Sequence, residues 1–212
     1  MKTAVVFVHG LFLNGAEFTL LRRRLVAAHG FETHRFSYPT VRGSIAATLA
    51  QLTRFVAGID ADRIHFVGHS LGGVVLCRYF ERERCERIGR VVLLGAPVVK
   101  SSSARAIARH QWLRRVLGPL VAEELLEPCD PRTWNCEREL GVIAGTTPMG
   151  LGRFFARFDE PSDGTVALSE TKLPGHKAHL AMPVSHMGML MSGLVARQVA
   201  TFLEQGQFSA RP

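Results

Sequence analysis

Residues 64–73 read IHFVGHSLGG, an apolar run from Ile64 to Val67 that stops at Gly68-His69-Ser70-Leu71-Gly72-Gly73. The run has the β-branched and aromatic make-up of a buried strand. From Leu71 to Arg84 apolar residues return at three- and four-residue spacing, so a helix is expected. Gly68 to Gly72 fit G-x-S-x-G, a sharp strand-to-helix turn that holds a serine in a strained conformation with its hydroxyl exposed. At average glycine and serine usage the bare pattern arises by chance in about one chain in fifteen of this length. Its place between a strand and an amphipathic helix gives it weight, and the plain alternative is a serine that merely punctuates the turn.

Working outward, short β-branched runs alternate with longer helical patterns, the signature of a parallel sheet covered by helices on both faces. Strands are predicted at Ala4 to Val8, Glu32 to Phe36, Ile64 to Val67, Val91 to Leu94, Val142 to Ala144 and His179 to Pro183. Helices are predicted at Phe18 to His29, Ser44 to Ala57, Leu71 to Arg84 and Met187 to Gln205. The expectation is a single α/β domain over residues 1–212, with a six-stranded, mainly parallel sheet. More than one crossover's worth of chain separates Leu94 from Val142, so residues 101–138 are expected to form a helical insertion. Its first helix carries Ile107, Leu113, Val116 and Leu117 and stops at Gly118-Pro119, and a second short helix runs through Glu127.

Composition sets the outer bounds. The chain has 212 residues, 47% of them hydrophobic, enough for a sizeable core. The amino-terminal apolar stretch is too short for a secretory or membrane-spanning segment, which makes a cytoplasmic location the default expectation. The net charge of +8 is spread along the chain, not gathered into a block, and no nucleic-acid partner is expected from it. Cys77, Cys85, Cys129 and Cys136 show no metal-ligand spacing, so no metal and no cofactor are expected; reduced thiols fit best, with a Cys129 to Cys136 bridge as the oxidised option.

A serine hydroxyl becomes a nucleophile only when a base takes its proton and a third group orients that base. In open parallel sheets functional residues gather at the carboxyl ends of strands. That rule removes His29, His34, His65 and His110, which lie in helices, strands or the insertion, and His176 and His179, which precede the last strand. His69 sits on the turn and cannot fold back onto Ser70, and His9 belongs to the loop His9-Gly10-Leu11. His186, in PVSHMGML just beyond Pro183, remains as the base, against a packed or helix-capping histidine. Among five aspartates, Asp163 in Ser162-Asp163-Gly164 follows the strand Val142 to Ala144 on a turn that can present a carboxylate. Its plain alternative is a turn aspartate bonding its own backbone, with Asp159 or Glu160 as replacements. Backbone amides of Leu11 and Leu71 are the candidate donors to an oxyanion.

With FVHG, VGHSLGG, LLGAP, SDGTV and PVSH in this order, nearly the whole chain resembles the α/β-hydrolase superfamily, in particular small bacterial lipase- and esterase-like members. The resemblance implies a Ser70, Asp163, His186 triad with oxyanion amides at Leu11 and Leu71. Two departures stand out: the chain begins at what would be the family's third strand, and the insertion does not resemble a large cap. The implied activity is hydrolysis of carboxylic esters through an acyl-enzyme on Ser70, failing below about pH 6.5 where a histidine base is protonated. The rivals are an acyltransferase with the same triad and a non-catalytic binding protein on the same fold. The expected partner is a small-molecule or lipid ester, and Arg105, Arg109, Arg114 and Arg115 would make the insertion a small lid in transient contact with a lipid surface, or else a helix with a solvated basic face.

Overall fold

The computed structural model describes residues 2–82, 86–99, 117–126, 132–149 and 158–210. Six strands carry the fold: β1 (Thr3–Val8), β2 (Glu32–Phe36), β3 (Arg63–His69), β4 (Ile88–Leu94), β5 (Leu140–Gly145) and β6 (Ala178–Met182). They form one sheet in the order β2-β1-β3-β4-β5-β6, and every neighbouring pair is parallel. The helices are α1 (Thr19–His29), α2 (Ile45–Ala57), α3 (Leu71–Phe80), α4 (Gly188–Met191) and α5 (Gly193–Gln205).

Because side chains alternate across a strand, the two faces of the sheet read directly from the sequence. Ala4, Val6 and Val8 of β1, with Ile64 and Phe66 of β3, face one core that includes Leu52 of α2 and Leu76 of α3. Val5, Phe7 and Val67 face the other, which holds Leu21 of α1 and Val195, Val199 and Phe202 of α5. The central strands are apolar on both faces, and the edge strands β2 and β6 are only partly buried.

The final helical stretch differs from the expected single helix. Ser192 is extended (ψ 127°) and its hydroxyl accepts from the Val195 amide at 3.3 Å, which caps α5 and separates it from the short α4. Helix α3 stops at Phe80; the expected extension to Arg84 leads outside the described residues. Of the insertion, residues 117–126 and 132–138 are described, so its first helix through Val116, its four arginines and Glu127 lie outside them. Gly118 takes the left-handed conformation (φ 82°), where a Cβ would run into the Val41 carbonyl, and residues 122–126 form a π-helical turn. Leu117, Leu120, Val121 and Trp134 join the main core, so both described parts of the insertion are packed into the domain. Cys77 and Cys136 are free thiols, and Cys129 lies outside the described residues.

Candidate active site

The strand order reverses direction at β1: the chain goes to β2 on one side, then returns to β3 on the other. The carboxyl ends of β1 and β3 flank this switch point, where open α/β sheets bind ligands. Ser70 follows β3 directly and is partly exposed, with φ 53° and ψ −124°. A non-glycine residue at positive φ is strained and persists only where its surroundings enforce it. Here the Ser70 amide donates to Leu94 O at 2.9 Å and the Gly73 amide donates to Ser70 O at 2.9 Å, so the turn is held from β4 and from α3. Gly72 lies where any Cβ would strike the carbonyl of Val8, which explains why the first turn of α3 must be bare to pass beneath β1.

His186 follows β6 and is 8% exposed. Its Nδ1 lies 2.7 Å from Asp163 Oδ2, and its amide donates to Asp163 O at 2.9 Å. A carboxylate accepts, so Nδ1 carries the proton and Nε2 keeps its lone pair. Asp163 is buried, and its Oδ1 accepts from the amides of Thr165 (2.9 Å) and Val166 (2.7 Å). One carboxylate oxygen thus bonds the turn's own backbone while the other faces His186. Asp159 is exposed, and Glu160 instead accepts from the amide and hydroxyl of Ser169.

The first-strand loop is braced from beneath. The Tyr38 amide donates to His9 Nε2 (3.2 Å), which leaves the His9 proton on Nδ1 to donate to Gly10 O (2.9 Å). Tyr38 also donates its hydroxyl to His9 O (2.8 Å) and stacks on the imidazole with centroids 4.4 Å apart. Burial pushes the His9 pKa down, consistent with a neutral ring used for structure. Gly10 lies close enough to the nucleophile turn that a Cβ there would be 3.1 Å from Ser70 Cβ. Beyond it, the Phe12 amide donates to Thr40 Oγ1 (3.2 Å) and the Leu13 amide to Gly10 O (3.3 Å). The Leu11 amide has no acceptor among the described residues, as has the Leu71 amide at the start of α3. Both donors thus stand uncommitted on the two loops that meet at Ser70.

Sequence reasoning did not single out Tyr38 and Thr40, which follow β2 and position the loop after β1. The only cue was that both follow the strand predicted at Glu32 to Phe36. It also passed over Gly95 of LLGAP, where φ is 53° and a Cβ would lie 2.8 Å from Asp163 Oδ2 and 3.2 Å from His186 Nδ1. Apart from His69, whose ring packs on His186 with centroids 4.6 Å apart, the remaining described histidines lie away from this cluster. His29 pairs with Glu204 and His34 with Glu32, while His65 Nδ1 accepts from the Arg90 amide and His179 meets Thr171. His110 lies outside the described residues. No group of three or more metal-ligating side chains occurs among the described residues.

Comparison with known proteins was informative at the level of family and fold. A model described as "Alpha/beta hydrolase family" matches residues 5–201. No curated protein is a detectable relative of the chain. Among solved structures, a lipase of Bacillus licheniformis (BlEst2) aligns at 16% identity with a TM-score of 0.66. That match covers 89% of this chain and 47% of the lipase, so the chain spans about half the lipase's length. A pyrethroid hydrolase of Sphingobium faniae aligns at 14% identity and TM-score 0.61, covering 97% of this chain and 98% of that one. A lipase-esterase related protein of Clostridium acetobutylicum gives 12% identity, TM-score 0.61, and coverage of 95% and 93%. At these identities the structures establish a shared fold.

Proposed function

The chain belongs to the alpha/beta hydrolase family, and from that premise we propose that it hydrolyses carboxylic esters through a covalent acyl-enzyme on Ser70. The observation that carries the reading is the Asp163–His186 pair, 2.7 Å apart and closed at Nδ1, with His186 packed on His69, the neighbour in the chain of a serine held at positive φ. The Nε2 lone pair of His186 takes the Ser70 proton as Oγ attacks the ester carbonyl. The amides of Leu11 and Leu71 receive the developing oxyanion, and Asp163 stabilises the imidazolium that forms. His186 then returns the proton to the leaving alcohol, and water repeats the cycle on the acyl-enzyme.

The substrate side is marked by apolar groups left in solvent. Phe12 (59% exposed) follows Leu11, Met187 (45%) follows His186, and Met149 (62%) lies against Gly164 of the Asp163 turn. The loops after β1 and β6 and the segment against the Asp163 turn thus carry exposed large hydrophobic side chains, which favours esters with an apolar acyl or alcohol part.

A fluorophosphonate probe and p-nitrophenyl esters test the proposal directly. The probe is expected to label Ser70, and Ser70→Ala should lower kcat by about 10⁴-fold or more. Near wild-type turnover by that variant would overturn the reading, and a protein the probe leaves unlabelled would point to a binding function instead. Adding an alcohol acceptor to the same assay reports acyl transfer, as ester formed in excess of hydrolysis.

A further inference from the structure

His69, excluded as a base because it cannot fold back onto Ser70, is fully buried at the end of β3. Its Nε2 lies 3.1 Å from the carbonyl oxygen of His186. That oxygen only accepts, so the proton of His69 is on Nε2 and Nδ1 presents a bare lone pair. Nδ1 has no hydrogen-bond partner among the described residues. The ring is enclosed by His186, with centroids 4.6 Å apart, by the edge contact of Phe18 at 6.3 Å, and by Gly10, whose added Cβ would lie 3.4 Å from Nδ1. Burial pushes its pKa well down, so the ring is neutral.

An apolar residue would fill this space without leaving a lone pair unpaired in the interior. What histidine alone contributes here is the Nε2 proton delivered to His186. Resting on the serine-hydrolase reading above, we infer that His69 is a positioning residue that fixes the separation of base and nucleophile. His69 is covalently joined to Ser70 on one side and hydrogen-bonded to the main chain of His186 on the other, so one side chain spans the two loops. The His186 peptide is thereby held at both ends, its amide by Asp163 O and its carbonyl by His69, while Asp163 Oδ2 fixes the ring. Asp163 sets which way the imidazole faces; His69 sets where it stands relative to Ser70.

The test compares His69→Gln, His69→Asn and His69→Leu by fluorophosphonate labelling rate and by kcat and KM on a p-nitrophenyl ester. Glutamine carries an amide N–H to about the place of Nε2, asparagine stops short of it, and leucine has no donor. His69→Asn and His69→Leu are expected to lose kcat and labelling rate together by about 10- to 100-fold, with KM changed by less than about twofold. His69→Gln is expected to recover most of the loss. Equal loss in all three variants, or full rates in His69→Asn, would overturn the inference. Should the leucine variant fail to fold, the contrast between asparagine and glutamine decides alone. Wild-type protein that the probe does not label overturns the serine-hydrolase reading and this one with it; labelled wild type with indifferent variants overturns only the role of His69.

Discussion

At the scale of single residues, Asp163 shows how a side chain's chemistry is divided between its atoms. Oδ1 faces two backbone N–H donors and Oδ2 faces His186 Nδ1. In Asp163→Asn the amide oxygen must stay toward Thr165 and Val166, so the NH2 group turns to His186. Two donors then meet unless His186 moves its proton to Nε2, which removes the lone pair that Ser70 needs. The expected outcome is a fall in kcat of about 10⁴-fold, with a thermal midpoint at neutral pH close to wild type. Kinetics and a melting curve on one preparation check both halves. Phe12 makes a second case, because its exposed ring stands on a backbone at φ 61°. Phe12→Ala is expected to raise KM for an octanoyl ester roughly tenfold more than for an acetyl ester, in line with about 1.5 kcal/mol of lost apolar burial. Equal changes on both esters would remove Phe12 from the acyl site. Ser70, Asp163 and His186 were legible as candidates because strand ends and turn chemistry leave few choices. Tyr38, Thr40, Gly95 and the structural use of His9 were not, because each acts through a partner distant in sequence.

At the scale of elements, the described parts of the insertion are anchored by charge as well as by Leu120 and Val121. One carboxylate oxygen of Glu124 accepts from Arg132 (2.7 Å) and from Arg78 of α3 (2.8 Å), and the side chains of Glu124 and Arg132 are 3% and 4% exposed. Arg132 also donates to Glu124 O and to Val98 O, while its Nε has no partner among the described residues. Glu124→Leu strands the Arg132 cation in the interior, and a loss of about 3 kcal/mol or more is expected in urea unfolding. Replacing both members, Glu124→Leu with Arg132→Met, should recover much of that loss, since two apolar groups leave no charge to desolvate. A double variant less stable than the single one would show that the pair adds net stability. None of this was visible in sequence, where Glu124 falls on the expected second short helix and nothing marks Arg132 as its partner. The division of the last helix was equally hidden: Met187 to Gln205 keeps its apolar spacing across Ser192, and only the local cap breaks it.

At the scale of the whole molecule, the sheet was the most legible feature. Strands apolar on both faces and bounded by glycine, alternating with amphipathic helices, leave few arrangements besides a doubly covered parallel sheet. The order of β1 and β2, and so the switch point beneath Ser70, required the three-dimensional structure. The same burial that builds this core sets its response to acid. Burial, with Arg90 and Arg63 nearby, lowers the pKa of His65 to about 4, while its Nδ1 accepts from the Arg90 amide. Burial, with His176 and Lys172, likewise lowers that of His179 to about 4. A histidine whose folded pKa lies below its unfolded value of about 6.5 binds its proton more tightly in the unfolded chain. Its neutral form therefore supports the fold fully above about pH 6.5, and that support drains away as pH falls toward the folded value of about 4. For His65, 3% exposed, the amount is about 3 kcal/mol, with His179 acting in the same direction. His65→Asn keeps an acceptor for the Arg90 amide but cannot titrate. Its unfolding free energy is expected to fall less steeply than wild type between pH 6.5 and 4, whatever its cost at neutral pH. Parallel curves for the two proteins across that window, in urea titrations at fixed ionic strength, would show that His65 is not a source of the acid sensitivity.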